Sequence, residues 1–235
     1  MGREIEIKLP LTDAQYEKIY SVISGREKLA RVELCDGGNF LCGLEHIIKT
    51  DTYFSRYETR EESKAAGEPQ VIRLRSEMYE VANDGDRFGC PPPKAFFCIK
   101  RKSIENGIEL NREDETYVDK PEVVRDLLLI SGYHQFFEKN KDSFSIYCKS
   151  DVLPGCEFHL ELEKVNGLKY LEVEVTDEAE VEGQSKRLVL PANSVRAGLE
   201  KFVELFGLDA SKRDGRSWME ILEATEGAIN SEGAE

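Results

Sequence analysis

No apolar run in this 235-residue chain approaches the length of a membrane-spanning helix. The first residues run straight into a charged segment, so no secretory leader is expected and a cytoplasmic location is. Basic residues are the minority, 32 Lys and Arg against 46 Asp and Glu, for a formal net charge of -14. A chain this acidic is repelled by polyphosphate backbones and anionic membranes, which argues against nucleic acid or a membrane as its general partner. Cys35, Cys42, Cys90, Cys98, Cys148 and Cys156 show no Cys-x-x-Cys spacing and no pairing with histidine. That excludes the usual zinc sites and points to reduced thiols. Histidine is scarce, and His46, His134 and His159 are scattered. His159 shares the strand parity of Glu161 and Glu163 and so shares their face, although such a histidine more often completes a hydrogen bond within a sheet. There is no internal repeat and no linker that divides the chain. One domain over 1–225 is expected, followed by a frayed tail at 226–235.

What the chain does have is short strands whose charges are sorted by sign. In Glu4-Ile5-Glu6-Ile7-Lys8 the charged residues take one face of a strand and the isoleucines the other. Two carboxylates then lie about 7 Å apart on that face, with a cation one step further on. Glu161 and Glu163 alternate with Leu160 and Leu162, and Glu172 and Glu174 with Leu171, Val173 and Val175. Between these acidic strands lie basic ones: Arg73 and Arg75 flank Leu74, Lys100 and Lys102 flank Arg101, and Lys139 and Lys141 flank Asn140. A solvated face mixes signs along each strand, because opposite charges attract across strands and like charges repel. Segregated strands suit another need, in which carboxylates hold a hard divalent cation and Arg and Lys hold a polyphosphate.

About nine strands and three or four helices are expected. Amphipathic helices read at 12–30, 121–131 and 193–206, and another at 215–224. The stretches 35–46, 56–69 and 83–94 read as long loops, with Pro91-Pro92-Pro93 a stiff spacer in the last. Asn106-Gly107 and Asn166-Gly167 mark tight turns. Separate strands read at 133–141 and 143–150. If the sheet closes with its charged face inward, the helices can cover the apolar outside. A lumen so lined must be hydrated or liganded.

Several motifs then fall in one order along the chain. Glu4-x-Glu6-x-Lys8 opens it, followed by Asp51-x-Tyr53-Phe54, Arg73-Leu74-Arg75, Lys100, and Arg112 with Glu113 and Glu115. Phe137-x-Lys139-x-Lys141-x-x-Phe144 comes next, then Leu162-Glu163-x-Val165-x-Gly167-Leu168, Tyr170-x-Glu172-Val173-Glu174, and Ser217-Trp218-x-x-Ile221-Leu222. Together they resemble the CYTH domain of the triphosphate tunnel metalloenzyme superfamily, which includes class IV adenylyl cyclases, thiamine triphosphatases and inorganic triphosphatases. The likeness spans nearly the whole chain. Lys141 departs from it by standing where arginine is usual, which keeps the charge but loses the guanidinium fork.

The resemblance implies an α+β fold: a closed antiparallel β-barrel, the triphosphate tunnel, with helices packed outside. It implies Mg²⁺ or Mn²⁺ as cofactor and a small molecule containing triphosphate as partner, and it leaves a homodimer open. Glu4, Glu6, Glu163, Glu172 and Glu174 would be the metal ligands, with Glu161 next in line. Arg73, Arg75, Lys100, Arg112, Lys139 and Lys141 would bind phosphate oxygens, with Lys102 a further candidate. Lys8, Glu6 and Glu174 would carry the catalytic roles. The activity implied is metal-dependent hydrolysis of inorganic, nucleoside or thiamine triphosphate. The alternatives are a class IV adenylyl cyclase, making cyclic AMP and pyrophosphate from ATP, and a non-catalytic polyphosphate or nucleotide sensor. Two acidic strands favour an enzyme, since a sensor could hold an anion with cations alone. The family's cyclases often carry a His-Phe pair before the first glutamate, and Met1-Gly2-Arg3 stands there instead, which leans toward hydrolysis.

Overall fold

The computed structural model describes residues 4–35, 43–68, 70–80, 92–105, 108–179 and 188–232. In chain order the elements are β1 (Glu4–Pro10), α1 (Asp13–Ile23), β2 (Val32–Leu34), β3 (Glu45–Ser55), α2 (Arg60–Ala65), β4 (Gln70–Glu80), β5 (Lys94–Glu105) and β6 (Ile108–Tyr117). Then come α3 (Pro121–Ile130), β7 (His134–Ser150), β8 (Glu157–Val165), β9 (Leu168–Thr176), the short pair β10 (Glu178–Ala179) and β11 (Leu188–Val189), α4 (Ala192–Leu205) and α5 (Trp218–Glu232).

Nine strands form one antiparallel sheet in the order β2-β7-β3-β4-β5-β6-β1-β9-β8, and β7 also pairs with β8. The sheet is strongly curled, and this corrects the fully closed barrel expected from the sequence. β7 hydrogen-bonds to β3 along its first part and to β8 along Lys141–Lys149. Lys141–Ser145 is paired with β3 on one edge and β8 on the other, and Cys148 and Lys149 with β2 and β8, so the seam is sealed along these stretches while the first part of β7 pairs with β3 alone and the curl stays open-sided there. The expected break at Asp142 is absent, and one strand of 17 residues takes the place of two. Lys141-Asp142-Ser143 contains no glycine or proline, and pairing on both edges holds it extended.

Alternation sets the two faces. Ile5, Ile7 and Leu9 on β1, Leu160 and Leu162 on β8, and Leu171, Val173 and Val175 on β9 are all buried on the outer face. They pack with Ile19 and Ile23 of α1 and with Leu199 and Phe202 of α4. Phe202 stacks on Phe158 with ring centroids 3.9 Å apart. Each such side chain contributes roughly 1.5–3 kcal/mol by leaving water, so this layer is where the sheet is anchored. Thr12 and Gln15 form a capping box that starts α1. α3 covers the opposite flank, where Leu128 joins Phe54 and Leu74.

The hairpin between β8 and β9 turns on Asn166 (φ 48°) and Gly167 (φ 85°), the left-handed pair that a two-residue turn requires. Asn106-Gly107 lies outside the described residues, as do 36–42 and 81–91 of the long loops. Within 56–69, read as loop, the chain forms α2. Thr59 and Glu62 bond each other's backbone N–H in a capping box, a start signal already present in the sequence. Among the described residues no helix is long and apolar enough to cross a membrane.

Candidate functional site

The charged residues of the curled sheet converge on its concave side around a cavity of ≈ 290 Å³. Strand register brings the three acidic strands together. Glu6 of β1 lies opposite Glu174 of β9, and Lys8 lies opposite Glu172. Glu172 in turn faces Glu161 of β8. Three separate stretches of sequence thus meet in adjacent rungs.

Like charges in this arc disturb one another. Burial, followed by the charge of Glu113, pushes Glu4 up to about 7. Burial and then Glu4, Glu6 and Glu161 push Glu174 well above the usual carboxylate range. Glu163 is fully buried, and burial together with Glu172 raises it too. Burial also raises Glu172, but Lys141 and Lys8 outweigh it and hold that carboxyl at about 2. Glu161, Glu163 and Glu172 each bring an oxygen within 4.8 Å of the others. Glu163 Oε2 is buried without a hydrogen-bond partner, and so is the hydroxyl of Ser143, its register partner on β7. An orphaned carboxylate oxygen within a cluster of mutually repelling oxygens suits a hard divalent cation.

The cations stand among these carboxylates. Lys141 Nζ lies 2.5 Å from Glu163 and 2.9 Å from Glu172. Lys8 lies 3.0 Å from Glu6. Lys100 lies 2.7 Å from Glu113 and 4.0 Å from Glu6. Arg73 reaches Glu113 at 3.3 Å and Glu115 at 3.1 Å, while its Nε is buried without a partner. Burial would raise Glu113, but Lys100 and Arg73 hold it at about 2. Arg75 grips Asp51, and Lys139 lies 3.2 Å from the same carboxylate. Burial, with the charge of Lys141, pushes Lys139 down to about 7. Carboxylates outnumber cations along the wall. The site can therefore accept a cation among its carboxylates and an anion on its basic side.

Arg112 is a correction. It is exposed, and it pairs in register with Arg101 on the outer face. Strand parity turns its neighbours Glu113 and Glu115 inward instead. Lys102 lies outside the described side chains. The remaining expected residues, Glu4, Glu6, Lys8, Arg73, Arg75, Lys100, Lys139, Lys141, Glu172 and Glu174, line the cavity. Glu163 sits fully buried behind Lys141.

The structure adds residues whose role the sequence did not reveal. Asp51 and Lys49 supply counter-charges on β3, and Lys49 pairs with Glu161. Trp218, at the start of α5, donates its indole N–H to Glu172. Its ring lies 5.6 Å from the ammonium of Lys139 and 5.4 Å from that of Lys141. Arg60 of α2 holds α5 in place through Ser217 (3.2 Å) and Glu220 (3.0 Å). His159 lines the cavity and meets the Ser145 hydroxyl at 2.7 Å, and burial pushes it below its ordinary value.

No family model matches the chain, and no curated protein matches it either. Solved structures do. The PH1819 protein of Pyrococcus horikoshii has 19% identity and a TM-score of 0.59, over 94% of this chain and 99% of that one. A candidate adenylate cyclase of Vibrio parahaemolyticus has 15% identity and a TM-score of 0.57, over 94% and 98%. HpAC1 of Hippeastrum, a candidate adenylyl cyclase described with a dominant triphosphatase activity, has 13% identity and a TM-score of 0.53, over 96% of each chain. The chain shares the fold of these three proteins over nearly its whole length. At these identities the likeness is one of fold.

Proposed function

We propose that this chain is a metal-dependent phosphohydrolase of triphosphates. The observation that carries this reading is the opposition, inside one cavity, of the Glu4, Glu6, Glu172 and Glu174 arc to Arg73, Arg75, Lys100, Lys139 and Lys141. In the free protein these charges neutralise one another. A metal–triphosphate salt exchanges those pairs, its cation going to carboxylates and its anion to Lys and Arg.

Glu4, Glu6, Glu163, Glu172 and Glu174 would hold Mg²⁺ or Mn²⁺, which neutralises phosphate charge and lowers the pKa of a bound water. Arg73, with its free Nε, and Arg75 suit forked contacts to phosphate oxygens, while Lys100, Lys139 and Lys141 act as point charges. Lys8, paired with Glu6, would orient the terminal phosphoryl group or the attacking water. Phosphoryl transfer needs position and charge neutralisation more than covalent chemistry, and this wall supplies both. HpAC1, described as a triphosphatase, supports hydrolysis; the Vibrio neighbour supports cyclisation of ATP as the second reading. Both reactions would use the same phosphate grip.

The test is product analysis across tripolyphosphate, nucleoside triphosphates and thiamine triphosphate with Mg²⁺ or Mn²⁺. Phosphate release that stops on chelation is expected. Cyclic AMP and pyrophosphate as the main products from ATP would establish the second reading. Full turnover in excess EDTA would remove the metal from the mechanism.

A further inference from the structure

A second cavity, of ≈ 240 Å³, opens beside the first. Tyr147, His159 and Glu174 line both. They form one row across three adjacent strands, since Tyr147 is the register partner of His159 and His159 that of Glu174. The wall that ends the first cavity therefore begins the second, and the vestibule continues the first cavity outward.

The vestibule has a stacking surface. The Tyr147 and His159 rings stack with centroids 4.5 Å apart and planes 16° from parallel. The imidazole is held by Ser145 at 2.7 Å. His159 thus backs one face of the phenol ring, while Tyr147 remains 37% exposed. The rim offers acceptors more than donors. Glu157, Glu174 and Glu178 present carboxylates, against one lysine, Lys149, among the described lining residues. With Glu174 engaged in the metal set, Glu157 and Glu178 remain. A ring edge bearing N–H donors is matched by such a rim, whereas a carbonyl edge meets like acceptors and loses its hydration unrepaid.

We propose that this vestibule binds the organic end of the triphosphate and selects a planar ring bearing an exocyclic amino group. The proposal rests on the reading of the first cavity as a triphosphate site. Tyr147 supplies the stacking face, and Glu157 and Glu178 read the amine. Adenine-type rings fit these contacts, hypoxanthine-type rings fit them worse, and inorganic tripolyphosphate leaves them unused.

Calorimetric titration of the full chain with Mg²⁺ separates these cases without turnover. The ligands are the β,γ-imido analogues of ATP and ITP, and inorganic imidotriphosphate as the ring-free control. Wild type should prefer the adenosine analogue to the inosine analogue severalfold. Tyr147→Ala should weaken the adenosine analogue about tenfold, the order of one lost base–aromatic stack, and Tyr147→Phe should not. Binding of imidotriphosphate should stay within about twofold in both variants. Glu157→Gln with Glu178→Gln should narrow the adenosine-to-inosine ratio. Equal losses for the ring-free ligand, or equal affinity for adenosine and inosine analogues in wild type, would overturn the proposal while leaving the triphosphate site standing. If imidotriphosphate fails to bind wild type at all, the triphosphate reading falls and the vestibule's role falls with it.

Discussion

Arg75 holds Asp51 through two hydrogen bonds, 2.6 Å from Nε to Oδ1 and 3.1 Å from a terminal nitrogen to Oδ2. Asp51 is fully buried, and Lys139 lies 3.2 Å from the same carboxylate. One aspartate thus counters two cations on neighbouring strands, β4 and β7. Removing it leaves buried charge without compensation, a loss that typically costs about 3–5 kcal/mol.

Asp51→Asn should therefore be clearly destabilised at neutral pH in denaturant unfolding. Arg75, with Lys139, holds the folded Asp51 well below the usual range against the opposing effect of burial. Its contribution is present above the unfolded value, near 4, and is lost as pH falls toward the lower folded value. The stability gap between wild type and variant should stay constant above about pH 5 and shrink below about pH 4. A gap that does not change with pH would show that the charge of Asp51 is not what matters.

Glu174→Ala tests the acidic arc. Burial and its acidic neighbours raise this carboxyl, so its ionised form burdens the fold at neutral pH. Removal should leave the melting temperature unchanged or higher while lowering kcat about 100-fold or more, as expected for losing a few kcal/mol of transition-state stabilisation. Near-normal turnover would reduce the arc to a passive charged wall.

Lys139 gives a pH signature. Burial, with the charge of Lys141, outweighs the opposing charge of Asp51 and pushes Lys139 down to about 7. Between about pH 7 and its unfolded value near 10.4, the unfolded chain holds the extra proton. Stability should rise with pH across that window, relative to Lys139→Met. Bound phosphate should restore the proton. Calorimetry at pH 8 in buffers of different ionisation enthalpy should then show proton uptake when tripolyphosphate binds, and Lys139→Met should abolish that component.

Trp218 separates packing from hydrogen bonding. Trp218→Phe keeps an aromatic ring against Tyr170 and the lysines but removes the N–H donated to Glu172. It should lower kcat/KM about tenfold with a small change in stability, because one bond to a charged group is worth about 1.5–3 kcal/mol. Trp218→Ala should also unfold at lower denaturant, since truncating a buried tryptophan costs about 3–5 kcal/mol. Equal activity in wild type and Trp218→Phe would mean that Glu172 needs no such positioning.

Arg112→Ala is the counterpart of these variants. The side chain is exposed on the outer face, so activity should stay within about twofold and stability within about 0.5 kcal/mol. Arg73→Ala, on the concave face, should abolish most turnover. Similar losses in both would mean that the face assignment of β6 is wrong.

The acidic and basic strands were legible because alternation is local: Glu4, Glu6 and Lys8 share a face in any extended chain. Trp218 was visible as a motif, but its bond to Glu172 spans 46 positions and no local pattern announces it. α2 carried its capping signal in Thr59 and Glu62, obscured by the charged, glycine-containing stretch around it. The long β7 was hidden for a different reason. A strand paired on both edges needs no turn at Asp142, and pairing is a property of its neighbours.

By itself, then, the sequence determined that strands of opposite sign exist, that their apolar faces need helices to cover them, and that the charged faces call for a hydrated or liganded interior. The backbone's two-residue period and the free energy of apolar burial are sufficient for that. The tertiary structure decided the rest. Register chose Glu113 over Arg112 for the interior, placed Glu6 across from Glu174, and left the curl open-sided. The curl brought Asp51 to two cations and Glu161 to Lys49, 112 residues apart. Those partnerships are electrostatic and act over a few ångströms, so they exist only once the sheet has bent far enough to bring its distant strands face to face.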